Sequence, residues 1–585
     1  MDPSIQPPQA DHLPIITELY LPIQRADAFP MRNMQEADFK EINKWLQTLL
    51  QECCPAKKIR TKDELKSAIN KLVETIQEVL EVVVPATKPC PYIKCWWTKE
   101  LMELKQVQQR LSKLSFCFRG TPNHPVHAEY KTAANKLNNR IDETKREHWM
   151  DWLENASSQD IYTTNKYVNS DPSDYSNACI PPLKTHDEFQ QETLATENRA
   201  KAKTLAEVFF PPPPNECTIP DSAYPQPLKA KGIFTRNDIC AAVQKLQPYK
   251  VPGEDGIQNV IIQKCIKTII NHLYYIYWAV LDLNVYPFYW LIILMIVLCK
   301  AGKPTYNVAK AYRPIGLLDM LGKLFSVLVA GDLSYLAEKH GLLPVTQFSS
   351  RPGRCTTDTM HLIVHKIKDA WRAKKVASIL FLDIQAAFLN TVKDRLLHNM
   401  KSRRVPTTYI WLFNHMLSDH QTRLCFDNFL SDPIQILNGT TQGCLLSMLL
   451  YVFYNSRLIK IASDKNELET GFVDNCALVA IADTLKETHS ILKYMMERPN
   501  RGLDWSQGHN SQFKISKLAI MDFPRPHKAE PSPPLIINQP HSDDSITSST
   551  ITATQIYKYL GVIFDPKLTW QAHITQVIAC ATWWT

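Results

Sequence analysis

Three short phrases in a fixed order constrain this chain most. The first is Ser378-Ile379-Leu380-Phe381-Leu382-Asp383, an apolar run ending in an acid, which suits a buried strand that delivers Asp383 to the edge of a sheet. The second is Asn438-Gly439-Thr440-Thr441-Gln442-Gly443, a small polar turn before the helical-looking run Met448 to Tyr454. The third is Gly471-Phe472-Val473-Asp474-Asn475, followed by the apolar Ala477-Leu478-Val479-Ala480. It reads as strand, tight turn and strand, and a hairpin tip holds carboxylates rigidly. Asp-Asn is also an ordinary turn dipeptide, so the third phrase decides little alone. In combination the three give a strand ending in an acid, a turn into a helix, and a hairpin bearing a second acid, in that order.

Further phrases carry a resemblance. They include Pro252-Gly253-Glu254-Asp255-Gly256-Ile257, Lys300-Ala301-Gly302-Lys303-Pro304, Ala311-Tyr312-Arg313-Pro314 and Arg351-Pro352-Gly353-Arg354, then Ser516-Lys517-Leu518 and Tyr559-Leu560-Gly561. From about residue 245 to the C-terminus the chain resembles the reverse transcriptase of a non-LTR (LINE-type) retrotransposon, closest in texture to fungal elements. The resemblance implies an α+β right-hand polymerase with fingers, a palm built on an antiparallel sheet, a helical N-terminal extension and a truncated thumb. The expected bounds are 1–20 for the tail of an endonuclease domain, where Asp11-His12 resembles that enzyme's last motif, and 21–210 for the helical extension. A Pro-rich linker follows over 211–228, then the polymerase domain over 229–570 with a polar insertion at 524–549, and the start of a thumb at 571–585.

The chemistry explains the residue types. Nucleotidyl transfer uses two divalent ions roughly 3.5–4 Å apart, and Mg²⁺ takes hard oxygen ligands with few protein carboxylates. The resemblance implies two Mg²⁺ ions with Asp383 and Asp474 as ligands, and the family's third acid falls on Asn475, a degenerate position. It implies Lys517 as proton donor to the leaving pyrophosphate, Arg313 as the grip on the triphosphate, Phe388 under the sugar, and Gln442-Gly443 lining the nucleotide pocket. The partners implied are an RNA template, a DNA primer and dNTPs. Read as residues alone, Phe388 and Gln442 are packing and turn residues, and Arg313 and Lys517 solvated charges.

The departures matter as much. Ala386 stands where the family has glycine, Cys444-Leu445 follows the Gln-Gly turn in place of a small or acidic residue and proline, and Ser349-Ser350 replaces Gly-Phe. The expectation is an RNA-directed DNA polymerase that is weakly active or inactive; the alternative is a non-catalytic nucleic-acid-binding protein or a silent remnant.

Composition fits either. With 66 basic and 58 acidic residues the chain carries +8, a mild excess that permits a nucleic-acid surface. Lys366, Lys368, Arg372, Lys374 and Lys375 precede the first catalytic strand, and Lys401, Arg403 and Arg404 follow it, as candidate phosphate contacts or solvated helix faces. Fifteen cysteines show no zinc spacing, and with no signal peptide the reduced thiols imply an intracellular protein, nuclear or cytoplasmic. The uncharged run Tyr286 to Cys299 is too short for a bilayer and reads as a buried strand. Helical spacing marks Ala37 to Gln51, Thr61 to Val83, Lys99 to Phe116 and His127 to Leu153. For the phrases around Trp96-Trp97 and His148-Trp149, RNA grip and plain helical packing both stand.

Overall fold

The computed structural model describes residues 32–34, 37–85, 96–154, 179–186, 191–213, 219–220, 222–230, 232, 234–300, 302–514, 517–525, 531–540 and 546–582. Residues 1–20, expected to be an endonuclease tail, lie outside them. The chain divides into two compact units, one holding 87–177 and the other 32–86 with 178–578. In the first, the helices Lys99–Cys117 and Pro125–Glu154 pair as a hairpin. Arg140 bridges to Glu100 at 3.1 Å, and buried Ser115 meets His127 Nδ1 at 2.8 Å.

In chain order the strands are β1 (Leu183–His186), β2 (Glu192–Ala195), β3 (Ile292–Cys299), β4 (Tyr312–Leu317), β5 (Val376–Asp383), β6 (Gln421–Phe426), β7 (Phe429–Leu430) and β8 (Ile434–Gln435). There follow β9 (Glu467–Phe472), β10 (Asn475–Ala482), β11 (Ala519–Phe523), β12 (Leu535–Pro540), β13 (Ile546–Ile551), β14 (Tyr557–Tyr559) and β15 (Val562–Phe564). A four-stranded antiparallel sheet in the order β11-β5-β10-β9 positions the carboxylates. Its two central strands are almost wholly apolar because both faces are covered. Side chains alternate across a strand. Leu380, Leu382, Cys476 and Leu478 join the large core that includes the helices Lys393–Ser402, Leu445–Asn455 and Leu485–Glu497. Ile379, Phe381, Ala477 and Val479 pack instead against the helix Thr356–Arg372 and the β14–β15 hairpin. Thr484 starts Leu485–Glu497 with a capping box to Glu487, satisfying N–H groups that the helix leaves open.

A second, mixed sheet runs β4-β3-β6-β7, with β8 also on β6 and β3 parallel to β6. The run from Tyr286 is strand only from Ile292, since Phe288–Leu291 forms a 3₁₀ turn after Pro287. The helix Met320–Lys339 is long and apolar enough to cross a membrane, and it is a core helix here, with Leu324, Phe325, Val329 and Leu333 buried.

Of the N-terminal helices, Phe39–Cys53 and Lys62–Val83 lie in the larger unit and share a core with Asn259–Asp282. Leu65, Ile69, Leu72, Ile76 and Val79 recur at helical spacing on the buried face, each side chain worth about 1.5–3 kcal/mol on full burial. The polar stretch 524–549 carries β12 and the start of β13. Leu535, Ile537 and Ile551 of the β12–β13 hairpin are buried, an alternation that the surrounding Pro, Ser and Asp conceal.

Candidate active site

Asp383 closes β5 and Asn475 opens β10, and the two are register partners. Asp474 sits one residue earlier, in the two-residue loop that joins Phe472 of β9 to Asn475. Strand alternation sends Asp383 to the face of Phe381, away from the core of Leu382. Lys514 N–H donates to Asp383 O at 3.0 Å and Gln385 N–H to Gln512 O at 2.9 Å, which lays the loop before β11 along the end of β5. That loop carries Lys517, whose Nζ pairs with Asp383 Oδ2 at 3.0 Å. Asn475 Nδ2 donates to Asp474 Oδ1 at 3.1 Å. Burial raises the Asp474 carboxyl above the usual range and the Asp383 charge adds to this, while a backbone N–H and Lys517 pull the other way.

Val473 in that loop has φ 58°, a conformation poorly suited to a β-branched residue. Its peptide is clamped on both sides. Val473 N–H donates to Ser349 Oγ at 2.9 Å, and Asn455 Nδ2 donates to Val473 O at 2.5 Å. Gln347 Nε2 donates to Ser349 Oγ at 3.0 Å, and a side chain at Gly471 would collide with Gln347 Oε1 and Ile459. Ser349, one of the departures from the family pattern, thus holds the hairpin tip.

Ala386 has φ 49°, where glycine is the favoured residue and alanine is strained. The N–H groups of Leu389 and Asn390 both donate to Ala386 O at 2.9 Å. Phe388 is half-buried with its ring 5.2 Å from that of Tyr451. Its carbonyl accepts from Thr440 N–H at 2.7 Å, and a Cβ at Gly439 would stand 2.7 Å from Leu389 O. Gln442 is half-buried, and its carbonyl accepts from Gly316 N–H at 2.8 Å, so the Gln442-Gly443 turn links β4 to the loop after Asp383. Arg313 lies on the exposed face of β4.

The sequence reading missed part of the positive charge. Lys300 is pushed below the usual lysine range by burial and then by the charges of Lys303, Arg313, Lys517 and Lys514, so cations from three segments converge, and Lys517 joins them to Asp383. The signal available was the Lys300-to-Lys303 phrase, which carried no assigned role. Among the described residues no three His, Cys, Asp or Glu side chains form a metal-holding group.

Of the two basic runs, Lys366, Lys368 and Arg372 lie on Thr356–Arg372, and Lys374 and Lys375 on the turn into β5. Arg372 is paired with Asp369 at 2.6 Å. In the second run Lys401 and Arg404 are exposed. Arg403 is different: its guanidinium donates to Leu342 O at 2.8 Å and Ser456 O at 3.1 Å. Those donors pack the fold and are not presented to a phosphate.

Residues 300–564 match the family model described as reverse transcriptase (RNA-dependent DNA polymerase). Among curated proteins of Drosophila melanogaster, the chain is 26% identical over 354 residues to a probable RNA-directed DNA polymerase from transposon X-element, covering 59% of this chain and 36% of that protein. It is 23% identical to the probable RNA-directed DNA polymerase from transposon BS and 22% to that from mobile element jockey, over 97% and 98% of this chain. The chain spans 62% of the length of each of these two.

Proposed function

We propose that the chain is an RNA-directed DNA polymerase of reduced activity, a reading supported by the match of residues 300–564 to the reverse transcriptase family model and by the similarity to RNA-directed DNA polymerases of transposons. The supporting observation is the shared sheet edge of Asp383 and Asp474, with an amide, Asn475, in register opposite Asp383. In this proposal the four-stranded sheet is the palm and the mixed sheet the fingers. Asp383 and Asp474 suit an ion that takes hard oxygens and keeps much of its water, and bound Mg²⁺ would stabilise the attacking and leaving oxygens of the transfer.

The remaining roles belong to the chain's own side chains. Arg313 and the cations crowding Lys300 attract a triphosphate, Phe388 meets the sugar, the Gln442-Gly443 turn bounds the base, and Lys517 is placed to protonate pyrophosphate. Lys366, Lys368, Lys374 and Lys375 contact template or primer phosphates, so affinity falls with salt.

Primer extension on an RNA template tests this. Trace synthesis is expected from the unaltered chain, more from Asn475→Asp and none from Asp383→Ala. Robust synthesis by the unaltered chain would overturn the attenuation. A silent Asn475→Asp protein that still binds template supports the second reading, nucleic-acid binding without catalysis. That reading draws on the internal partners of both carboxylates, Lys517 for Asp383 and Asn475 for Asp474.

A further inference from the structure

Cations gather at the end of the helix Lys393–Ser402, on the far side of the four-stranded sheet from Asp383. The side follows from strand alternation: Leu396, Leu397 and Met400 of that helix share a core with Leu380 and Leu382, whereas Asp383 projects with Phe381. Arg395, His398 and Lys401 recur at three-residue steps on one helix face. Arg404 follows, and Arg457 comes in from the end of Leu445–Asn455.

A strap over 222–228 lies across them. Leu228 N–H donates to Arg404 O at 2.9 Å and Arg404 Nε to Gln226 O at 3.2 Å. Tyr224 Oη lies 3.0 Å from His398 Nδ1, and Arg457 Nη2 lies 3.1 Å from His398 Nε2. A guanidinium only donates, so Nε2 accepts and the proton sits on Nδ1, directed at the Tyr224 oxygen. His398 is therefore a neutral spacer that fixes a tyrosine on one side and an arginine on the other. Burial pushes its imidazole down to about 4, and Arg457, Arg395 and Lys401 add to this.

The surface left open is cationic and aromatic. Lys401 and Arg457 are exposed, Tyr224 is 41% exposed, and Lys401 Nζ stands 5.5 Å from the Tyr224 ring centroid. Among the described residues Lys401, Arg404 and Arg457 make no ion pair with a carboxylate. Like charges held together without a counter-charge favour an anion, and an exposed ring beside them suits a stacked base more than an acidic peptide.

We propose that Tyr224, Lys401, Arg404 and Arg457 form a second nucleic-acid site, which takes the phosphates and one base of a single strand on the side of the sheet away from Asp383. The site does not depend on catalysis.

The test is fluorescence anisotropy with the full chain and a labelled single-stranded RNA of about 12 nucleotides, within the range one single-strand module covers, over a salt series. Lys401→Glu combined with Arg457→Gln is expected to weaken binding about tenfold and to reduce the salt slope by about 1.4, from roughly 0.7 per phosphate contact on a single strand. Gln keeps a donor for His398 Nε2, and Lys401→Glu alone, at an exposed position, serves if the double variant melts early. Tyr224→Ala is expected to weaken binding about fivefold, at the low end for loss of one stacked base, with the slope unchanged. RNA carrying 4-thiouridine should cross-link to the peptide 222–228. Unaltered affinity and slope, or cross-links confined to 300–388, would overturn the site. So would polyglutamate competing as well as RNA does, which would identify an acidic protein as the ligand, or inorganic phosphate alone saturating it.

Discussion

Asn475 stands opposite Asp383 in the register of β5 and β10, and the same amide donates to Asp474 Oδ1. One side chain therefore both lacks the charge an ion would need and occupies a lone pair of the neighbouring carboxylate.

Restoring the acid should change two measurable quantities. A screened charge pair at this range is worth roughly 1–4 kcal/mol, and each 1.36 kcal/mol is tenfold in rate. Asn475→Asp should raise primer extension by about ten- to a thousandfold. With EDTA the same variant should melt below the unaltered chain, because another carboxylate joins Asp383 and Asp474, and Mg²⁺ should recover more of its melting temperature.

Ser349→Ala should loosen the hairpin tip. It removes the acceptor of Val473 N–H, and a buried group left unsatisfied costs about 1–3 kcal/mol. Faster amide exchange at Val473, with exchange in β5 unchanged, is the expected pattern. Asn455→Leu should do the same from the carbonyl side. Unchanged protection in both variants would mean that the flanking strands alone hold the turn.

Ala386→Gly should stabilise the chain. At φ 49° the Cβ costs on the order of 1 kcal/mol, partly offset by the freedom glycine adds to the unfolded chain. A gain of about 0.5 kcal/mol in urea unfolding is expected. Gly443→Ala should go the other way, since Gly443 has φ 108° and a Cβ there would lie 3.2 Å from Gly316 O.

Glu469 sets a pH dependence. Burial raises its carboxyl from 4.5 to about 7, while the N–H of Ala462, at 3.0 Å, pulls it down. A folded-state value above the unfolded one means the folded chain holds the proton more tightly. Its contribution is complete below pH 4.5 and is lost as pH rises to about 7. Glu469→Gln, whose carbonyl still accepts from Ala462, should stabilise by about 3 kcal/mol at pH 8 and change little at pH 4. Thermal melts at both values check the sign.

The sequence made the local elements legible because their signals are local. Helical spacing over Thr61 to Val83 became Lys62–Val83, and the apolar run to Asp383 became β5. What stayed hidden depends on residues far apart in the chain. No pattern around Ser349 announces a hydrogen bond to Val473, 124 residues away. Lys300 gains its meaning from Arg313, Lys514 and Lys517 converging on it. That Ala386 sits at a positive φ, where glycine would fit without strain, is visible only in the backbone. Arg403 looked like its basic neighbours, and only its two carbonyl partners separate it from them.

The packing of Phe39–Cys53 and Lys62–Val83 on Asn259–Asp282 bears on how the chain is made. Asn43 Nδ2 donates to Lys264 O, 221 residues onward. A ribosome therefore releases Leu46, Ile69 and Leu72 long before their partner helix exists. At about 5–20 residues per second these two helices wait on the order of ten seconds or more with an apolar face open to water. During that wait they are a target for chaperones, and for the same helices on a neighbouring nascent chain.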